Sequence, residues 1–147
     1  MDKQIIACGR QLVNLLAMGL GCSKYEPLPD DVDIDRLLKM AQIHEVLVMA
    51  VNTLKQDPRF AENERVRAWD PAIRDHVWQS RVQHLELMGF CSRLAKANIP
   101  AIPLKGSVLK RLYPKTEFRQ MCDLDVLVQQ EHVSEAHSIL TSMGYTF

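Results

Sequence analysis

The sequence predicts an α+β protein. A helical N-terminal part, residues 1–98, packs on a strand–helix–strand–helix unit, residues 99–147, which ends at the start of another strand. Three observations predict it. Up to Asn98, apolar residues mostly recur three and four apart, the period of a helix with one buried face. Beyond Asn98, short β-type runs alternate with helical ones. The 147 residues are 47% apolar and 24% charged, enough to bury a core and unlike a chain disordered throughout.

In the first helix, residues 3–18, Ile5, Ile6, Val13 and Leu16 fall at helical spacings, and Gly19 and Gly21 stop it. Arg10, Gln11 and Asn14 interrupt its apolar side and no small-residue cleavage site follows, so it reads as amphipathic rather than as a signal peptide. A loop holds Pro27, Pro29, Asp30 and Asp31. Asp33 is a suitable N-cap for a second helix carrying Ile34, Leu37, Leu38 and Ala41. After His44 and Glu45 the apolar run 46–51 reads as a third, broken at Asp57-Pro58. Asp70-Pro71 is a start signal, a capping carboxylate followed by proline at the first helical position. One long helix, 71–97, then carries Ile73, Val77, Leu85, Met88, Cys91 and Leu94 at helical spacing, and Asn98 stops it.

Residues 99–104, with Pro100 and Pro103, suit a short edge-like strand. Gly106 and Ser107 open a helix with Val108, Leu109 and Leu112, ended by Pro114. Residues 122–128 read as a strand. Residues 131–143 read as a helix with Val133, Ala136, Ile139, Leu140 and Met143 on one face, Gly144 as its cap, and Tyr145, Thr146 and Phe147 as the beginning of a further strand.

Eighteen Lys and Arg balance eighteen Asp and Glu, so no polyanion-binding surface is forced by net charge, although a local patch can hide in the sum. The longest run free of strongly polar residues, 15–22, is too short to cross a bilayer. Cys8, Cys22, Cys91 and Cys122 lie far apart and form no CxxC pair, a pattern that suits buried thiols in a reducing cytoplasm rather than zinc or a disulfide scaffold. The histidines form no pair at metal-ligand spacing, and no Ser/His/Asp or Cys/His order marks a nucleophilic site. Met40, Met49, Met88 and Met143 read as core filler.

The chemistry concentrates between Leu104 and Val128. In a strand, residues i and i+2 share a face, so Asp123 and Asp125 point one way with Leu127, and Cys122, Leu124, Val126 and Val128 point the other, into a core. Two same-face carboxylates repel unless solvated or bridged by a cation, and hard oxygen ligands at that spacing suit Mg²⁺, which substrate phosphates complete. Gly106-Ser107 falls where a strand runs into a helix, where glycine lets a phosphate approach the backbone and the first amides face it. Lys105, Lys110, Arg111, Lys115 and Arg119 make the stretch between turn and acids cationic, opposed by Glu117 alone. Together these parts can hold a nucleoside triphosphate and its metal.

Each part also has a plainer reading. The acids can be the wet face of a half-buried strand, Gly106-Ser107 a simple helix start, and the basic stretch a solvated helix face. Tyr113-Pro114 is a packed ring before a helix stop, or a platform for a base.

Leu104-Lys105-Gly106, Tyr113-Pro114, Arg119 and Asp123-Leu124-Asp125, followed by a helix and Gly144-Tyr145, resemble the nucleotidyltransferase superfamily, in its uncharacterised branch with that signature. The resemblance covers residues 99–147, with a weaker helical match upstream from about His44. It implies a minimal nucleotidyltransferase core in which Gly106 and Ser107 hold the triphosphate and Asp123 and Asp125 bind Mg²⁺ and serve catalysis. Lys105 and Arg119 match basic positions typical of the family and are read here as phosphate-binding. The resemblance also implies a third carboxylate on a later strand. None follows before Phe147, so the expected core is incomplete and the chain reads as truncated. Transfer of a nucleotidyl group from a nucleoside triphosphate to an unidentified acceptor is the expected function. The alternative is a catalytically inactive nucleotide-binding or regulatory module of the same fold. No membrane partner is expected, and an edge left open after Tyr145 offers a route to a homo-oligomer.

Overall fold

The computed structural model describes residues 3–24 and 26–146. Three helices come first: α1 (Lys3–Gly19), α2 (Ile34–Ile43) and α3 (Leu47–Leu54). Two single-turn helices, α4 (Pro58–Ala61) and α5 (Glu64–Arg67), lead into the long α6 (Asp70–Lys96). Strand β1 (Ala101–Pro103) is followed by α7 (Gly106–Leu109), which tightens into a 3₁₀ turn, Lys110–Leu112. After another 3₁₀ turn, Thr116–Phe118, come strand β2 (Val126–Val128), a third such turn, Gln130–His132, and α8 (Val133–Ser142). The fold is α+β, mostly helical, with a two-stranded antiparallel sheet.

Capping sets the helix boundaries. Asp33 accepts the Arg36 amide at 3.1 Å and starts α2, as its position in the sequence predicts. Helix α6 stops at Asn98, which takes a φ of 59° while the Asn98 and Ile99 amides return to the carbonyls of Ala95 and Leu94. This is the Schellman arrangement, and it recurs at Gly21 after α1 and at Gly144 after α8. At the end of α2 the same left-handed place falls to Glu45, at φ 57°, where a side chain costs about 1–2 kcal/mol.

Three clusters make the core. Leu12 and Leu15 of α1, Leu37, Leu38 and Ala41 of α2, and Leu54 of α3 bury one another. Phe90 and Leu94 of α6 pack with Ile99 and with Ala136 of α8, against Ala101, Val126 and Val128. Val48 and Met49 of α3 hold Phe118, which fastens the loop after α7 to the helical part. Helix α6 spans these regions: Ile73 leans on the first and third clusters, Phe90 and Leu94 belong to the second.

Several expectations are corrected. Asp70 is the first helical residue rather than the cap, and its carboxylate, instead of capping the helix, is held by Lys55 Nζ at 2.6 Å. The inward face of α6 runs through Ser80, Leu87, Phe90 and Leu94, a heptad-like spacing that leaves Leu85 and Met88 exposed. The helix expected after Gly106 makes one α turn before tightening. Val108, Leu109 and Leu112 face outward, and the buried members are Gly106, Ser107 and Lys110. The strand expected over 122–128 is regular only from Val126. Leu104 N–H still donates to the Asp125 carbonyl at 2.9 Å, but the next residue, Lys105, swings away at φ 48° and leaves 122–124 without a pairing strand. Tyr145 and Thr146 are not in a strand, and Phe147 lies outside the described residues. Of the four thiols Cys8 is buried, while Cys22 and Cys122 are exposed.

Candidate functional site

The site is built on the bend between β1 and α7. The register pairs Ala101 with Val128, Ile102 with Leu127 and Pro103 with Val126. Ile102 and Leu127 are the exposed pair, so the face predicted to carry the acids is the open face of this ribbon. The left-handed bend at Lys105 turns the chain into α7. From there its ammonium reaches Asp125, with Nζ 2.9 Å from Oδ2. The hydrogen bond and charge of Asp125, followed by the charge of Asp123, push the Lys105 pKa up, so the ammonium lies in the field of both acids. The cation that two neighbouring carboxylates call for is here a lysine.

Gly106 is buried, and its φ is not positive, so its role is one of space. A Cβ there would lie 2.7 Å from Met121 Sδ, 3.0 Å from Met121 Cγ and 3.5 Å from Arg119 Nε. Arg119 Nε is buried and has no hydrogen-bond partner among the described residues, an orphaned donor beside the glycine. Ser107 uses its hydroxyl internally, donating to the Leu104 carbonyl at 2.7 Å and closing the bend. With four residues, α7 has little macrodipole; the bend offers its first two amides, which a helix start leaves unpaired.

Lys105, Gly106, Arg119 and Asp125 therefore gather in one place, with Asp123 near enough to act on Lys105. The rest of the cationic stretch disperses. Lys115 donates to Asn52 at 3.1 Å and lies over the Phe118 ring, Lys110 is buried against Ser80, and Arg111 is exposed. Tyr113 packs against the cluster around Phe118, in keeping with a packed ring. Two residues of the site carry no sequence signal. Met121 lies over Gly106, and Gln83 of α6 donates to the Met121 carbonyl at 3.0 Å, fixing the segment before the acids.

Among the described residues no group of three or more His, Cys, Asp or Glu is placed to hold a metal ion. The accessible Asp123 and Asp125 offer two hard oxygen donors, and one or two protein carboxylates are what Mg²⁺ takes when phosphates complete its shell. The donor set thus fits a magnesium ion carried with a nucleotide. Behind the acids, Cys122, Leu124, Val126 and Val128 alternate to the other face as predicted, but they line an open apolar cavity of about 500 Å³ against Phe90 and Leu140 rather than a closed core. Among the described residues no helix is long and apolar enough to cross a membrane.

Residues 30–147 match a family described as uncharacterised nucleotidyltransferase. No protein of curated function and no solved structure matches the chain.

Proposed function

The chain belongs to this family of uncharacterised nucleotidyltransferases, and from that premise we propose that it transfers a nucleotidyl group from a nucleoside triphosphate to an acceptor, with Mg²⁺ as cofactor. Asp123 and Asp125 would hold the metal, which would neutralise phosphate charge and polarise the phosphoryl oxygens. Gly106 leaves room for a phosphate against the backbone once the Met121 side chain, which lies over it, swings aside, and the amides of Gly106 and Ser107 then donate to it. Arg119 turns its unpartnered Nε–H to the phosphate beside Gly106, and Lys105 exchanges the Asp125 carboxylate for a phosphate oxygen. The acceptor nucleophile attacks the α-phosphorus in line, the bond to the bridging oxygen breaks, and pyrophosphate leaves.

One observation carries this reading: the Lys105–Asp125 contact of 2.9 Å, which ties the glycine bend to the acid segment twenty residues on. The test is calorimetric titration of nucleoside triphosphates with and without Mg²⁺, on the wild type and on Asp123→Ala/Asp125→Ala. Binding that needs Mg²⁺ and is lost in the variant supports the reading. Equal heats from both proteins refute it. The same contact also favours a second reading, a nucleotide-binding module without turnover, since Asp125 already has a cation in Lys105. Release of pyrophosphate from bound nucleotide separates the two.

A further inference from the structure

Among the described residues two charged side chains are almost fully buried, and they are treated differently. Asp57, 3% exposed, has its cation: Arg59 contacts it at 2.7 Å. Lys110, 5% exposed, has no carboxylate within ion-pair distance among the described residues. Among the described residues its ammonium hydrogen-bonds to Ser80 alone, the hydroxyl at 3.0 Å and the carbonyl at 3.4 Å. A buried ammonium without an anion is costly, and native proteins ordinarily pair such a group.

Lys110 borders a pocket of about 190 Å³ between α6 and the turn that follows α7. Arg81 and Arg111, both exposed, form its rim, and Ser80 and Ser107 are on its walls. Glu117 is the one carboxylate lining it, set against two guanidiniums and an ammonium. The volume is below the roughly 300 Å³ at which clefts for whole small molecules begin, so it suits a compact polar group better than a nucleoside. Lys105, Asp123 and Asp125 do not line it.

We propose that this pocket is a binding site for a phosphate-type oxyanion, with Lys110 at its floor and Arg81 and Arg111 closing over it. The anion supplies the counter-charge that Lys110 lacks, and the two guanidiniums offer forked donors suited to phosphate oxygens. Burial also holds the Lys110 pKa below its ordinary value, with Glu117 pulling the other way, and an anion in the pocket reverses that depression. Ser107 lies on the wall, so the pocket backs onto the glycine bend without including the acid pair. The anion is therefore either the terminal phosphates of a nucleotide or a free phosphate or pyrophosphate, and the site stands whether or not nucleotidyl transfer takes place.

The test is calorimetric titration of the full chain with inorganic pyrophosphate in EDTA at low salt, which silences any metal site. The wild type binds. Lys110→Met and the rim pair Arg81→Gln/Arg111→Gln each weaken binding by about tenfold or more, whereas Arg65→Gln/Arg67→Gln, an exposed pair on α5 whose loss changes net charge as much as the rim pair's, leaves it unchanged. The rim pair is exposed and keeps the test decisive should Lys110→Met not fold. Absence of binding by the wild type, or wild-type affinity in the rim variant, overturns the proposal. Competition then identifies the source. Displacement of pyrophosphate by ATP but not by AMP assigns the pocket to a nucleotide's terminal phosphates, and simultaneous binding of ATP and pyrophosphate assigns it to a free anion.

Discussion

Lys105 Nζ lies 2.9 Å from Asp125 Oδ2, so the ammonium of the bend occupies the carboxylate expected to serve a metal. The two cations compete for one set of oxygens. Replacing Lys105 by methionine removes the competitor while keeping the side chain's length. Mg²⁺ affinity without nucleotide is therefore expected to rise several-fold in Lys105→Met and to stay near the wild type in Lys105→Arg. Lys115→Met is the control, because Lys115 is engaged at Asn52 and its loss changes net charge equally. Calorimetric Mg²⁺ titration reads all four proteins. An equal rise in Lys105→Met and Lys115→Met would mean that net charge, and not occupancy of Asp125, governs the metal.

His76 gives the fold a dependence on acid. Gln120 Nε2 donates to His76 Nδ1 at 2.9 Å, so the neutral ring carries its proton on Nε2, an atom that is buried and has no partner among the described residues. Burial first, then the charge of Lys110, lowers its pKa from 6.5, and Glu45 opposes them. As the pH falls through 6.5 the unfolded chain takes up this proton before the native one does. Stability is then complete above pH 6.5 and declines below it, down to the lower native value. Urea midpoints measured from about pH 8 to about pH 5 are expected to fall more steeply for the wild type than for His76→Gln. Parallel curves would show that the ring does not titrate differently on folding.

What the sequence made legible was whatever a local rule decides. Asp33 as a cap, Asn98 and Gly144 as stops, and the inward set Ile34, Leu37, Leu38 and Ala41 depend on neighbours within one or two turns. The gathering of Lys105, Gly106 and Asp125 was foreseen through a motif, but the partner of each was not. Pairing across the sheet decides where a strand stops, so the loss of regular structure over residues 122–124 follows from Lys105 turning away, which periodicity does not encode. Lys110 shows the same limit. It sits in a basic run that reads as solvated, and only the approach of α6 buries it against Ser80. Cys122, Leu124, Val126 and Val128 alternate as expected, while the apolar surface opposite them stops short of closing the cavity.

Gly106 is the position at which stability and binding come apart. Its backbone needs no left-handed freedom, so alanine is conformationally acceptable and suits a helix start better than glycine does. The added Cβ would come within 2.7 Å of Met121 Sδ, but a thioether on a flexible stem can swing aside. The net change in folding stability of Gly106→Ala is therefore expected to stay within about 1 kcal/mol, and Met121→Ala added to it relieves whatever overlap remains. Nucleotide binding responds differently, because a phosphate reaches the backbone and Arg119 Nε, 3.5 Å from that Cβ, only after Met121 has swung aside, and the methyl group then occupies the space it would enter. Affinity for a Mg²⁺-bound nucleoside triphosphate is expected to fall by about tenfold or more in Gly106→Ala, with no recovery in the double variant. Thermal melting and nucleotide titration on the three proteins check both halves. If Gly106→Ala binds nucleotide as the wild type does, the glycine serves only to seat Met121, and the phosphate must be sought elsewhere.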